Sequence, residues 1–164
     1  MNFSKLSLSS LFGFKPKVTK QTKAYHLARY YLGLHEIAGK TKHEAKVVEF
    51  FKLVGHGWVK DDETSWCAAF VGAMLEKNDI KSTGKLDARS YLKWGKEVGV
   101  KDVKEGDIVV FWRVNPNSWQ GHVGFFVRYN DNGDIVVLGG NQSDQVCERV
   151  YAKGRLLGFR RYEE

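Results

Sequence analysis

The chain has 164 residues, 43% of them hydrophobic and 13% aromatic, which is enough for one domain with a proper core and excludes a disordered polymer. Its formal net charge of +7 points to an anionic partner, but no nucleic-acid-binding motif accompanies it and nucleic acid is not expected. No segment approaches the roughly 20 apolar residues of a membrane span, and two cysteines make no disulfide framework.

Residues 1–22 form a basic leader. Lys5, Lys15, Lys17, Lys20 and Lys23 stand without an acid before Ala24, so residues 1–23 carry +5 and the remainder only +2. The apolar stretch from Leu6 to Phe14 is interrupted by serines and followed by most of the charge, the reverse of a secretory signal. The leader is read as flexible, and residues 23–164 as one catalytic domain. Apolar spacing then predicts helices over 25–34 and 44–53. A third, over 66–77, has Phe70, Val71, Met74 and Leu75 recurring at helical intervals. Asp61, Asp62, Glu63, Thr64 and Ser65 offer N-caps for it, which sets Cys67 in its first turn. Unpaired N–H groups and the positive end of the helix dipole favour a thiolate there. A buried cysteine acting as a small apolar residue is the alternative. A fourth helix is predicted over 89–96, with Trp94 on its core side.

After Val100 the pattern turns to strands. Asp107 to Trp112, His122 to Arg128 and Asp134 to Leu138 are rich in β-branched and aromatic residues, and Asn130-Asp131-Asn132-Gly133 is a turn signal between the last two. If those four residues are the loop, Tyr129 faces Asp134 and His122 stands opposite Asn141 on the same face. Asn141 then orients one ring nitrogen of His122 and leaves the other for Cys67. A one-residue bulge breaks this register and passes the role to Gln142, and a Gly-Gly-Asn turn is the structural alternative. Cys147, in the alternating pattern 145–151, reads as a sheet residue, so two free thiols are expected. His26, His35, His43 and His56 have no metal-ligand spacing, and no metal or cofactor is expected.

Three ordered segments carry most of the information: Asp62-Glu63-Thr64-Ser65-Trp66-Cys67-Ala68-Ala69-Phe70-Val71, Gly121-His122-Val123-Gly124-Phe125 and Leu138-Gly139-Gly140-Asn141-Gln142. With Leu32 to Gly39, Ala88 to Gly95 and Gly106 to Phe111 before and between them, the chain from about residue 24 to 164 resembles the CHAP and NlpC/P60 cysteine peptidases and amidases. These are papain-like enzymes that cut peptidoglycan. The resemblance implies an α+β, papain-like fold with N-terminal helices and a C-terminal antiparallel sheet packed against the nucleophile helix. It implies Cys67 as nucleophile, His122 as base and Asn141 as third member. The substrate groove is expected between the 61–64 approach and the 113–121 loop, with Asp62, Trp66, Arg89, Ser90, Trp119 and Gln142 as substrate contacts. Where papain-type enzymes place an oxyanion glutamine, this chain has Asp61, Asp62 and Glu63, which leaves the backbone N–H of Cys67 as the donor.

The expected function is hydrolysis of a peptidoglycan amide by a monomeric enzyme, as peptidase or amidase. The resemblance is to phage endolysins and cell-wall effectors, implying a protein made soluble in a host cytoplasm and delivered to the wall through a holin or another route. The alternatives are a non-catalytic wall-binding or virion structural module, and a papain-like enzyme acting on a non-wall amide.

Overall fold

A computed structural model of the chain describes residues 17–37, 39, 43–62 and 64–164. Residues 1–16, most of the expected leader, and Glu63, one of the expected N-caps, lie outside the described residues. Helices α1 (Lys20–Tyr30), α2 (Ala45–Leu53) and α3 (Cys67–Glu76) come first, then a 3-10 helix (Ala88–Lys93). Six strands follow: β1 (Lys96–Val98), β2 (Ile108–Trp112), β3 (Gly121–Tyr129), β4 (Ile135–Gly139), β5 (Cys147–Tyr151) and β6 (Leu156–Arg161), with a short 3-10 turn (Lys153–Arg155) before β6. They form one sheet in the order β1-β6-β2-β3-β4-β5, all pairs antiparallel. The expected α+β architecture is the one observed.

Helix α3 organises the core. Every residue from Cys67 to Leu75 is buried, which follows from a sequence with no polar face before Glu76. It packs against α1 and α2 on one side and β3 on the other. Val110, Val123, Phe125 and Leu138 meet it from the sheet. Val109, Phe111, Phe126, Val137 and Phe159 fill a second core on the opposite face, as strand alternation requires.

The boundaries differ from expectation in ways that have causes. The expected boundary at residue 22 falls inside a helix, because α1 begins at Lys20 with Thr19 as its N-cap. Gln21 in that first turn is buried; it donates to Gly106 O at 2.8 Å and accepts from Tyr162 N at 2.6 Å. One leader residue thus joins both ends of the sheet region to the helices. The fourth helix is a 3-10 segment that stops at Trp94, since Gly95 at φ 57° turns the chain into β1. At α3 the cap position is Trp66 with no side-chain cap. Asp61 bonds instead to Thr64 N and Oγ1, closing a local turn ahead of the helix.

Replacing Gln21 by leucine leaves the Gly106 carbonyl and the Tyr162 N–H without partners. The expected loss is about 1–3 kcal/mol, read as a fall of roughly 2–4 °C in Tm per kcal/mol for a chain of this size. An unchanged Tm in thermal unfolding would mean that this bridge does not anchor the leader.

Candidate active site

Two segments bring Cys67 and the His122 region together. The first turn of α3 packs against β3, and the backbone of Val123, the Ser65 side chain and the backbone of Ala68 each act to lower the Cys67 thiol pKa. Burial acts the other way and prevails, so the thiol is held above its ordinary value. This corrects the expectation of a helix-stabilised thiolate. A helix end contributes about 0.3–1 kcal/mol at exposed sites, whereas full burial of an ionisable group can shift it by several units. His122 is moved in the matching direction. Burial pushes it down to about 4; its bond to Gln142 opposes this, and Arg113, Arg149 and Arg155 add to the lowering. Both shifts favour the neutral form, of the thiol and of the imidazole.

The side chain that meets the His122 ring is that of Gln142 and not of Asn141. Nε2 of His122 lies 2.9 Å from Oε1 of Gln142. The Gln142 amide nitrogen donates to Val137 O at 3.2 Å and Cys147 O at 2.6 Å. Two carbonyls around one end of the amide identify that end as the donor and leave the oxygen for His122. His122 must then carry its proton on Nε2, and Nδ1 is left as the basic nitrogen. Its ring is also clamped by stacking on Tyr151, centroids 5.0 Å apart, which in turn stacks on Phe111 at 4.7 Å.

The end of β4, and not the register, explains the exchange. At the turn, Tyr129 pairs with Ile135 and not Asp134, and a bulge between Phe126 and Arg128 shifts the pairing back, so that Phe125 faces Leu138. Near the site the count agrees with the expected register; what fails is the strand itself. β4 stops at Gly139, and Asn141, Ser143 and Asp144 all take positive φ, at 55°, 55° and 59°. Asn141 is turned out of the sheet and donates to Ser65 Oγ at 3.3 Å, while Gln142 folds back beneath the histidine. This return needs two glycines. A Cβ on Gly139 would sit 2.7 Å from Gln142 Oε1, and one on Gly140 would sit 2.5 Å from the Trp66 ring.

Other expected substrate contacts are redistributed. Asp62 is fully buried. Burial raises its pKa, but the N–H groups of Glu44 and Ile37 and the ring of His43 outweigh this and hold it below the carboxylate range. It fastens the chain around residues 37–44 to the approach of α3 and does not face substrate. Trp66 is fully buried, its Nε1 donating to Glu36 Oε1 at 2.5 Å, and it belongs to the core because α3 has no exposed face. Arg89 spends its guanidinium on the carbonyls of Gln120, Pro116 and Asn115, so it shapes the 113–121 loop. Ser90 donates to Asp87 O at 2.6 Å within the 3-10 helix. Trp119 is 76% exposed and lines a recess of about 260 Å³ with Ser65, Cys67 and Arg113. Arg113 also lines a neighbouring recess that contains His122. Both cysteines are free, and Cys147 donates to Gln142 O at 3.2 Å. Among the described residues no group of His, Cys, Asp and Glu could hold a metal ion, and no helix is long and apolar enough to cross a membrane.

A family model described as the CHAP domain matches residues 59–141, a span that includes Cys67, His122 and Asn141. No curated protein matches the chain. Solved structures do. An NlpC/P60 family protein from Bacillus cereus is 18% identical with a TM-score of 0.55, covering 87% of this chain and 40% of its own. A protein similar to lipoprotein, of the NLP/P60 family, from Staphylococcus aureus is 14% identical with a TM-score of 0.54, covering 88% and 42%. The peptidoglycan hydrolase RipB of Mycobacterium tuberculosis is 16% identical with a TM-score of 0.55, covering 100% and 75%. The chain thus spans less than half the length of the first two. At these identities the likeness establishes the fold, which is papain-like.

The depressed His122 pKa has a measurable consequence for stability. Between pH 6.5, the ordinary value, and about 4, the unfolded chain binds a proton at His122 that the folded chain does not. Stability from this residue is therefore fully present above pH 6.5 and is lost as pH falls through the window, by up to about 1.4 kcal/mol per unit. Asp62 contributes in the same sense only below about pH 4. Urea unfolding at pH 7, 6 and 5 should show this slope, and His122→Gln should flatten it. Equal slopes for both proteins would show that His122 is not held neutral.

Proposed function

The chain belongs to the CHAP domain family, and from that premise we propose that it is a cysteine hydrolase that cleaves an amide bond of peptidoglycan. The observation that carries this reading is the Gln142 amide. It presents its oxygen to His122 Nε2 and so reserves Nδ1 as a proton acceptor.

In the proposed reaction Cys67 attacks the substrate carbonyl as its proton passes to His122 Nδ1. Starting from a neutral pair, the proton moves with the attack, and the imidazolium that forms is stabilised by Gln142 Oε1. The backbone N–H of Cys67 is the nearest donor for the developing oxyanion. His122 then protonates the leaving amine, a thioester remains on Cys67, and water activated by His122 releases the acyl half. Asn141 supports the site indirectly, by donating to Ser65 Oγ, whose side chain acts to lower the Cys67 thiol pKa. The endolysin role is supported by the sequence resemblance alone. Whether the bond is a peptide link or the sugar-peptide amide is read from the new termini that appear in digested, purified peptidoglycan.

Cys67→Ala is expected to abolish release of new amino termini from peptidoglycan while the protein stays folded. Retained turnover would move the chemistry elsewhere and favour a non-catalytic role for this site. Gln142→Ala should lower turnover by about 10²–10⁴-fold, the range for losing a residue that fixes the histidine tautomer. Asn141→Ala should cost distinctly less. The reverse order of the two losses would reject Gln142 as the orienting residue. Activity should persist in a chelator and fall on thiol alkylation; inhibition by chelator with recovery on added zinc would point to a metal amidase instead.

A further inference from the structure

Beside the Cys67 recess lies a second one of about 230 Å³, and its lining includes His122, Tyr151 and three arginines: Arg113, Arg149 and Arg155. They come from separate parts of the chain: the end of β2, β5, and the turn before β6. No acidic side chain lines the recess, and none of these arginines forms an ion pair among the described residues. Two of them are held in place by neutral groups. Arg155 donates to Trp112 O at 3.3 Å with its guanidinium 5.1 Å from the Trp112 ring centroid, and Arg149 donates to Ser143 Oγ at 3.1 Å. Three like charges gathered without a counter-charge repel one another. Guanidinium groups fixed at the rim of a concave, partly dry site are suited to bind a carboxylate in bidentate fashion.

The chemistry says which part of a substrate comes here. His122 must protonate the departing amine, so the amine half of the scissile amide lies on the histidine side, and the acyl half lies in the recess with Cys67 and Trp119. We propose that the arginine-lined recess is a subsite for a carboxylate carried by the amine half of the substrate, with Arg149 and Arg155 as its anchors and Arg113 at the border between the two halves. This inference rests on the hydrolase reading above for the direction of the substrate. It has a mechanistic consequence. The same three arginines disfavour a positive charge on His122, after burial the main opposition to it. A bound carboxylate offsets their field and makes Nδ1 a better acceptor when the substrate is in place. Recognition and base strength are then coupled.

The test uses the full chain carrying Cys67→Ala, which binds without turnover, and soluble muropeptides prepared from purified peptidoglycan. One batch keeps its free carboxylates and the other has them converted to methylamides. Calorimetric titration should give binding at least tenfold tighter for the free acids at low salt, with the advantage shrinking as salt is raised. Adding Arg149→Gln and Arg155→Gln together should bring the two batches to equal affinity. Arg149→Gln alone, at an exposed residue that donates to Ser143, should remove part of the preference even if changes at Arg155 impair folding. Arg149→Lys should keep more of it than Arg149→Gln.

Equal affinity for the two batches, no binding by either, or a preference unchanged by Arg149→Gln would each overturn the proposal. So would inorganic phosphate binding more tightly than the free-acid muropeptides, which would mark a general anion site. The hydrolase reading is tested separately by the unmodified chain on peptidoglycan. Carboxylate discrimination without release of new termini would leave the subsite standing and reject hydrolysis. Hydrolysis without discrimination would reject the subsite alone.

Discussion

The Gln142 side chain is the constraint on which the site depends. An amide has two different ends, and here both are committed: the nitrogen to the carbonyls of Val137 and Cys147, the oxygen to His122. A buried amide with all its directions satisfied cannot rotate without breaking three bonds, each costly to leave unmade in a dry interior. The histidine tautomer is thus fixed by backbone carbonyls from the middle of β4 and the first residue of β5. Fold and chemistry are joined through one side chain.

Much of the remaining structure serves to bring Gln142 to that place. β4 has to stop at Gly139, the chain has to turn through three positive-φ residues, and it has to return below the histidine. The turn is buttressed from outside. Glu36 N donates to Asp144 O, and the backbone of Gly33 and Leu34 pairs with that of Val146. Glu36 also receives the indole N–H of Trp66, whose ring lies against Gly140. Asp62 extends this scaffold by tying Ile37, His43 and Glu44 to the approach of α3. Residues expected to touch substrate are in this sense one layer behind it, where they hold the residues that do.

The electrostatics follow from the same burial. The thiol is raised and the imidazole lowered by the same cause, the removal of both groups from water. The net charge of the chain is concentrated in its first residues, yet the arginines that matter for the site belong to the nearly balanced remainder. Position decides here, since the charges that act on His122 line the recess it occupies.

The sequence by itself determined the order of helices and strands, the place of Cys67 in the first turn of α3, and the position of His122 on a central strand. These depend on local pattern: apolar periodicity, β-branched runs and turn residues act over a few neighbours and can be read without knowing the fold. Trp119 on an exposed loop was legible for the same reason. Tertiary structure alone decided the rest. Which side chain meets the His122 ring turned on where β4 ends, which is set by packing of Gly139 and Gly140 against Gln142 and Trp66, residues far apart in sequence. The burial of Asp62 and Trp66, and with it the sign of the Cys67 shift, depended on how completely α1, α2 and the sheet enclose α3. Desolvation is a property of the whole surrounding volume, and no stretch of sequence contains it.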